Sequence, residues 1–228
     1  MIFNIKTAKK EEIIKRAKWK CPIKGHSGHS GLEHPNCYEK LHKLYPEERI
    51  GFLDIETTGL QATYAYVNSY AIKELNGKIM GRALTSKEIL NGKYDEELLK
   101  ECVADMKKFD KLITYYGGDY RFDLPILRTR SIYWGLDFPL YKDIKVVDLY
   151  SIVKKKLNLH SRRLGVVCDF FGIPSKQHKM SPKVWSAAHI GQKWALEHIW
   201  KHNQEDCIST EKLYKKIIDY VGRQNTSI

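Results

Sequence analysis

The rhythm of hydrophobic and polar positions changes near residue 50. Before that point, Thr7 to Lys20 is a charged stretch with Ile13, Ile14, Ala17 and Trp19 as its apolar side, which predicts an amphipathic helix. A Gly-, Ser- and Pro-rich loop follows from Cys21 to Cys37. Then Gly51-Phe52-Leu53-Asp54-Ile55-Glu56-Thr57 runs into Thr58-Gly59 and predicts a short buried strand. Thr63 to Ile72 is rich in strand formers, Asn76-Gly77 is a hairpin signal, and Ile79 to Leu84 completes an antiparallel meander. Asp95 to Phe109 carries Leu98, Leu99, Cys102, Val103 and Met106 at helical spacing. Lys111 to Tyr116 predicts a fourth strand that ends in Gly117-Gly118, and Val146 to Leu149 suits a fifth. From about Tyr150 the pattern is largely helical, with a long helix from about Gln192 to Val221.

With 228 residues, 43% of them hydrophobic and 29% charged, the chain suits one globular domain with a small appendage. The change of rhythm divides it into a basic extension with a Cys/His cluster, residues 1–49, and a regular α/β domain, residues 50–228. No stretch is long and apolar enough for a membrane span, and no secretory signal opens the sequence. Five cysteines without paired spacing do not make a disulfide framework, so a reducing, cytoplasmic setting is expected. The net charge of +12 favours a polyanionic partner, and nucleic acid is the commonest.

Candidate chemistry sits on both sides of the divide. Side chains on a strand alternate faces, so Asp54 and Glu56 share one face while Leu53 and Ile55 take the other. Two carboxylates on one face of an apolar strand repel each other and are costly to desolvate, and a divalent cation between them relieves both costs. The alternative is an edge strand with two solvated acids. Asp123 stands alone among apolar residues after Gly117-Gly118 and reads either as a third ligand or as a helix N-cap. Asp119 reads as a loop acid facing solvent. His202 and Asp206 are four apart and stack on one helical face flanked by Ile199, Cys207 and Leu213. In the loop before the domain, Cys21, His26 (or His29), His34 and Cys37 are N and S ligands of the kind that grip a structural zinc ion. The same residues also read as a polar loop with incidental histidines.

Three strands, a helix, a strand, a helix, a strand and then helices is the order of a ribonuclease-H-like fold, a mixed β-sheet flanked by helices. Asp54-x-Glu56-Thr57-Thr58-Gly59, Phe122-Asp123-Leu124-Pro125 and His202-x3-Asp206, in this order, resemble the DEDD superfamily of 3′–5′ exonucleases. Within it, the pattern is most similar to the branch related to the exonuclease domain of family B DNA polymerases. Arg128-x-Arg130, Asp148-Leu149 and Arg162-Arg163-Leu164 through Gly172-Ile173 also resemble that branch. The resemblance spans about residues 50–220 and leaves the first 49 outside. One position departs from it: His202 stands where the polymerase-like branch usually has tyrosine, whereas the other large branch places its histidine five before the aspartate.

The resemblance implies hydrolysis of phosphodiester bonds of DNA or RNA with two Mg²⁺ or Mn²⁺ ions. Asp54 would bridge both metals, Glu56 and Asp206 would hold the one that carries the attacking water, and Asp123 would hold the other. His202 would orient or deprotonate the water, a role that its near-neutral pKa suits. Thr57 and Leu60 would contact the terminal nucleotide of a single-stranded 3′ end. Arg128, Arg130, Lys154, Lys155, Lys156, Arg162 and Arg163 are candidates for phosphate contacts. A proofreading role would need a protein partner, because the sequence carries no polymerase domain. Two other readings stay open, a catalytically silent nucleic-acid-binding module and a structure-specific endonuclease on the same fold.

Overall fold

A computed structural model describes residues 5–22, 28–42, 48–140, 142–174 and 176–221. The chain divides into two compact units, Met1–Glu48 and Arg49–Ile228. The first contains α1 (Lys10–Lys18) and α2 (Pro35–Leu41). Its centre is small and partly ionic. Arg16, buried, bonds Glu12 at 2.7 Å and the buried Glu39 at 3.0 Å, and its guanidinium lies 4.6 Å from the centre of the Tyr38 ring. Trp19 meets Tyr38 edge-on, and the backbone N–H of Cys21 donates to the His29 carbonyl. The Cys/His cluster does not close into a metal site among the described residues. No three of Cys21, His29, His34 and Cys37 bring ligand atoms within 4.8 Å of one another, and His26 lies outside the described residues.

The larger unit is built on a five-stranded sheet in the order β3-β2-β1-β4-β5. Strand β1 (Ile50–Thr57) pairs antiparallel with β2 (Val67–Glu74), which pairs antiparallel with β3 (Ile79–Ala83). On its other side β1 runs parallel to β4 (Lys111–Thr114), which runs parallel to β5 (Lys145–Asp148). Between β3 and β4 come α3 (Ser86–Leu90) and α4 (Glu96–Met106), and α5 (Asp123–Tyr133) links β4 to β5. After β5 follow α6 (Leu149–Lys156), α7 (Leu164–Phe170), α8 (Pro182–His189) and the long α9 (Lys193–Val221).

Local chemistry accounts for the boundaries. Thr85 and Glu88 close a reciprocal capping box on α3, and Ser181 caps α8 ahead of Pro182. Asn76 turns β2 into β3 with φ 57°. Gly81, at φ 120°, passes so near β2 that a Cβ there would lie 2.1 Å from the Tyr70 carbonyl oxygen. Strand β2 starts at Val67 rather than near Thr63. The preceding residues form a turn closed by Tyr64 N–H to Gln61 O, and Tyr66 N–H donates to Thr58 Oγ1, so these groups are spent before the ladder begins.

The alternation in β1 sorts its side chains as the sequence implies. Leu53 and Ile55 enter a core with β2, α4, α5 and α8, while Phe52 enters a second core on the opposite face with α6, α7 and α9. Asp54 and Glu56 lie on the Phe52 side, which α9 covers. Asp95 is a second organising point. Fully buried, it accepts from Arg130 at 2.9 and 2.6 Å, from Trp134 Nε1 at 2.9 Å and from the Val67 backbone at 2.9 Å.

Candidate active site

Centrally placed β1 delivers two of the acids, and a bulge in its pairing between Glu56 and Thr57 ends the ladder there. Helix α9 passes across β1 and β2, anchored where Cys207 Sγ–H donates to the Ala71 carbonyl at 3.3 Å. Ala71 is the register partner of Asp54, so the helix crosses directly at the acid. One turn earlier, fully buried Asn203 donates to Asp54 Oδ2 at 2.6 Å. His202 and Asp206 occupy the same stretch. Glu56, His202 and Asp206 each offer a ligand atom, and these three atoms lie within 4.8 Å of one another.

Asp123 opens α5 after the Gly117-Gly118 turn and is 4% exposed. It is the first helical residue, after Phe122 at the N-cap, and its Oδ2 has no hydrogen-bond partner among the described residues. A buried carboxylate oxygen without a donor is costly unless a cation meets it, so the atom fits a metal ligand better than a cap. Gly117 makes room for it, since a Cβ there would lie 2.1 Å from Asp123 Oδ2. Asp119 is exposed and pairs with Arg128.

The electrostatics agree with crowded acids. Burial, reinforced by the Asp54 charge, pushes the Glu56 carboxyl up to about 8. Burial pushes Asp54 up to about 6 against the opposing pull of Lys176 and the Asn203 bond. Asp123 rises well above the ordinary carboxylate range through burial and the charges of Asp54, Glu56 and Asp148. The residues present therefore suit a hard divalent cation, whose charge would let Asp54, Glu56 and Asp123 ionise together.

His202 is held in one tautomer. Its Nδ1 lies 2.5 Å from the His178 carbonyl, which can only accept, so Nδ1 carries the proton. Nε2 then faces Glu56 Oε1 at 3.5 Å and Asp206 Oδ2 at 3.7 Å. Burial, with the nearby Lys176 charge, lowers the imidazole to about 4 rather than the near-neutral value expected from sequence. The ring is neutral at physiological pH, with a lone pair directed at the acids.

Three participants escaped the sequence reading. Lys176 forms an ion pair with Asp206, and burial lowers its pKa while Asp54 and Glu56 raise it. His178 presents its carbonyl to His202, and its loop is clamped to α9 because Glu205 accepts from the Gln177 and His178 backbone and meets the His178 ring at 2.7 Å. Asn203 sits beside His202 in sequence, yet nothing marks it as different from any helical asparagine. All three act through tertiary closure, which periodicity does not report.

The other predicted positions scatter. Thr57 Oγ1 donates to the Gly59 carbonyl at 2.6 Å and shapes the turn beyond Glu56, while Leu60 is 83% exposed beside it. Arg162 and Arg163 are exposed, as are Lys154, Lys155 and Lys156 at the end of α6. Arg130 is not brought to the site, because its guanidinium is bound to Asp95 and only 12% exposed.

Comparison with known proteins agrees with this fold. A family model described as the RNase_H superfamily matches residues 51–218. A DNA polymerase of Methanocaldococcus jannaschii is 30% identical over 118 residues, which cover 41% of this chain and 7% of that polymerase. The family B DNA polymerase from the hyperthermophilic archaeon Pyrobaculum calidifontis superposes with a TM-score of 0.61 at 18% identity, over 76% of this chain and 25% of that one. The chain thus spans only a small part of either polymerase.

Proposed function

This chain belongs to the RNase_H superfamily, and on that premise we propose that it is a metal-dependent 3′–5′ exonuclease of DNA or RNA. Asp54, Glu56, Asp123 and Asp206 would hold two Mg²⁺ or Mn²⁺ ions. The observation that supports the reading best is the set of acids around the end of β1 whose carboxyls are raised by burial and, at Glu56 and Asp123, by neighbouring acidic charge, with the bare Nε2 of His202 turned toward Glu56 and Asp206. A buried, mutually repelling acid cluster is unfavourable for stability alone and is what cation binding requires.

Held by these acids, the ions would neutralise charge at the phosphate and the leaving oxygen and would lower the pKa of a water so that it loses a proton more readily. The protein's part is positional. Asn203 fixes Asp54, the His178 carbonyl fixes the His202 tautomer, and Glu205 fixes the loop that bears His178. His202 Nε2 takes the proton of the attacking water. The new bond joins that oxygen to phosphorus, and the bond to the 3′ oxygen of the preceding nucleotide breaks. That oxygen takes a proton from solvent, which leaves a nucleoside 5′-monophosphate and a strand shorter by one residue. Lys176 offsets part of the negative charge of the cluster.

The first unit is proposed as an appendage outside the nuclease domain of residues 50–228. A structural zinc ion there rests on the sequence spacing of Cys21, His26 (or His29), His34 and Cys37 alone, since the described ligand atoms are not gathered, and elemental analysis finding about one equivalent of zinc is the result that would support it. A cytoplasmic, nucleic-acid-handling protein fits the composition, and any replication or repair partner would be a separate chain. The deciding experiment is product analysis on end-labelled DNA and RNA oligonucleotides with Mg²⁺ and Mn²⁺. Mononucleotide release from 3′ ends is expected, together with an untouched circular single strand. Cleavage of the circle would replace this reading with an endonuclease, and no cleavage of any substrate would leave a binding module.

A further inference from the structure

The proposed chemistry needs a lone pair on His202 Nε2, yet the ring's surroundings pull the proton toward that same nitrogen. Nε2 faces Glu56 Oε1 at 3.5 Å and Asp206 Oδ2 at 3.7 Å, so a proton placed there would meet carboxylate oxygens. Against this stands the His178 carbonyl, 2.5 Å from Nδ1. Which nitrogen of a histidine carries the proton is set by the bond that the other makes, so the tautomer depends on where that carbonyl is held. Residues 176–180 form neither helix nor strand, and no backbone ladder fixes their path. Side chains of α9 do so instead. Lys176 pairs with Asp206, the N–H groups of Gln177 and His178 both donate to Glu205 Oε2 at 3.0 and 3.1 Å, and the His178 ring meets Glu205 Oε1 at 2.7 Å. The Lys179 carbonyl accepts from His198 Nε2 at 3.0 Å. His198, His202 and Glu205 are spaced four and three apart and so line one face of the helix.

These anchors are not equivalent. Asp206 is a candidate metal ligand, so a cation bound there would compete with Lys176 for it. The His198 contact is a single bond in an exposed position. Glu205 instead grips residue 178 twice, through its backbone N–H and through its ring, and takes the preceding N–H as well. Bonds to an ionised acceptor are the stronger kind, and three of them converge on the residue whose carbonyl faces His202. Both oxygens of Glu205 are committed to this loop, so it adds no ligand to the acid cluster.

We infer that Glu205 is a positioning residue that acts through the His178 carbonyl to keep the His202 proton on Nδ1 and the lone pair of Nε2 toward the acids. The inference rests on the nuclease reading for its purpose, though not for its test. Without Glu205 the loop loses its grip on residue 178, the carbonyl is free to turn away, and the carboxylates then draw the proton to Nε2. A ring in that tautomer has no lone pair with which to accept the proton of a water beside the acids.

The test is ¹⁵N NMR of the whole chain with labelled histidine, in EDTA at pH 8.5, where most of Glu56 is ionised. The ring shifts of a neutral imidazole report which nitrogen bears the proton, and the His202 signals are assigned by their absence from His202→Ala. The wild type should show the Nδ1–H tautomer. Glu205→Ala should move His202 mostly to Nε2–H and, assayed with Mn²⁺, should lower kcat by roughly 10- to 100-fold with KM and Mn²⁺ affinity little changed. Glu205→Gln, which keeps an acceptor oxygen for the two backbone donors, should retain the Nδ1–H form and most of the rate. His178→Ala keeps those donors and the carbonyl, so it should retain the Nδ1–H form too. A merely structural role would lower the melting temperature of Glu205→Ala and leave the tautomer in place, and that result overturns the inference. So does a wild type found as Nε2–H. Loss of the Nδ1–H form in Glu205→Gln also overturns it, which keeps the question decidable even where Glu205→Ala does not fold. Absence of cleavage with every metal would sink the nuclease reading alone, since the spectra decide the positioning without turnover.

Discussion

At the scale of single residues, Glu56 and His202 carry the sharpest expectations. Folding raises the Glu56 pKa from 4.5 to about 8, so the folded protein holds a proton that the unfolded chain releases over that interval. Stability from this group is therefore fully present below about 4.5 and declines as pH rises through 8. Glu56→Gln removes the decline, and in EDTA at pH 8.5 it should melt higher than wild type by several degrees, a gain on the order of 2 kcal/mol. The same proton must leave before a cation binds. Mn²⁺ affinity should thus tighten between pH 6 and 8, by up to about ten-fold per unit for each proton released. Calorimetry in buffers of different ionisation enthalpy measures that release, and pH-independent affinity would contradict the placement of Glu56 in the metal site. For His202 the sign is opposite. Its lowered pKa of about 4 leaves it neutral across this range, so it should contribute no inflection near neutrality. His202→Ala should lower the rate by roughly 10²–10⁴, as for other general bases, while metal affinity changes far less. Equal rates would mean that water is activated without it. Asp54, Glu56, His202 and Asp206 were legible because strand and helix periods put them on shared faces. Lys176 and Asn203 were not, since a lone lysine in a loop and a helical asparagine carry no periodic mark.

At the scale of elements, Arg130 shows where such reading fails. A helical arginine two residues after Arg128 looks like a phosphate contact, but its partner is Asp95, 35 residues upstream, and only the packing of α5 beside α4 brings them together. Nothing local distinguishes a structural arginine from a solvated one. Breaking a buried pair by removing one member typically costs about 3–5 kcal/mol. Arg130→Ala should lower the melting temperature by roughly 10 °C, given about 2–4 °C per kcal/mol in a chain of this size. Its oligonucleotide affinity, measured well below the melting point, should stay near wild type. Asp95→Ala should be more damaging still, because Trp134 and the Val67 backbone lose the same acceptor. Weakened oligonucleotide binding in folded Arg130→Ala would restore the phosphate role. The strands and α9 were legible because their patterns repeat over many positions. The late start of β2 was not, because Thr58 and Gln61 capture backbone groups that strand propensity assigns to the ladder.

At the scale of the molecule, the charge of +12 is unevenly committed. Arg16, Arg82 and Arg130 are drawn into ion pairs with Glu39, Glu88 and Asp95, so they add little field of their own. Exposed Lys154, Lys155, Lys156, Arg162 and Arg163 instead follow β5 in a short span of sequence. A strand bound there displaces counterions, and for single strands the logarithm of affinity falls with the logarithm of salt by about 0.7 for each phosphate contacted. A handful of contacts predicts a loss of roughly 10- to 100-fold between about 50 and 200 mM salt. Reversing the charge of three of these residues together, as Lys155→Glu, Arg162→Glu and Arg163→Glu, should flatten that slope and raise Kd at low salt. The same reversal at Lys100, whose ammonium already pairs with Glu96 and Glu97 on the solvent face of α4, should do neither. Filter binding or anisotropy across a salt series reads both slopes. If the two variants respond alike, diffuse net charge rather than this segment attracts the nucleic acid, and the route by which a strand reaches the acids must lie elsewhere on the surface.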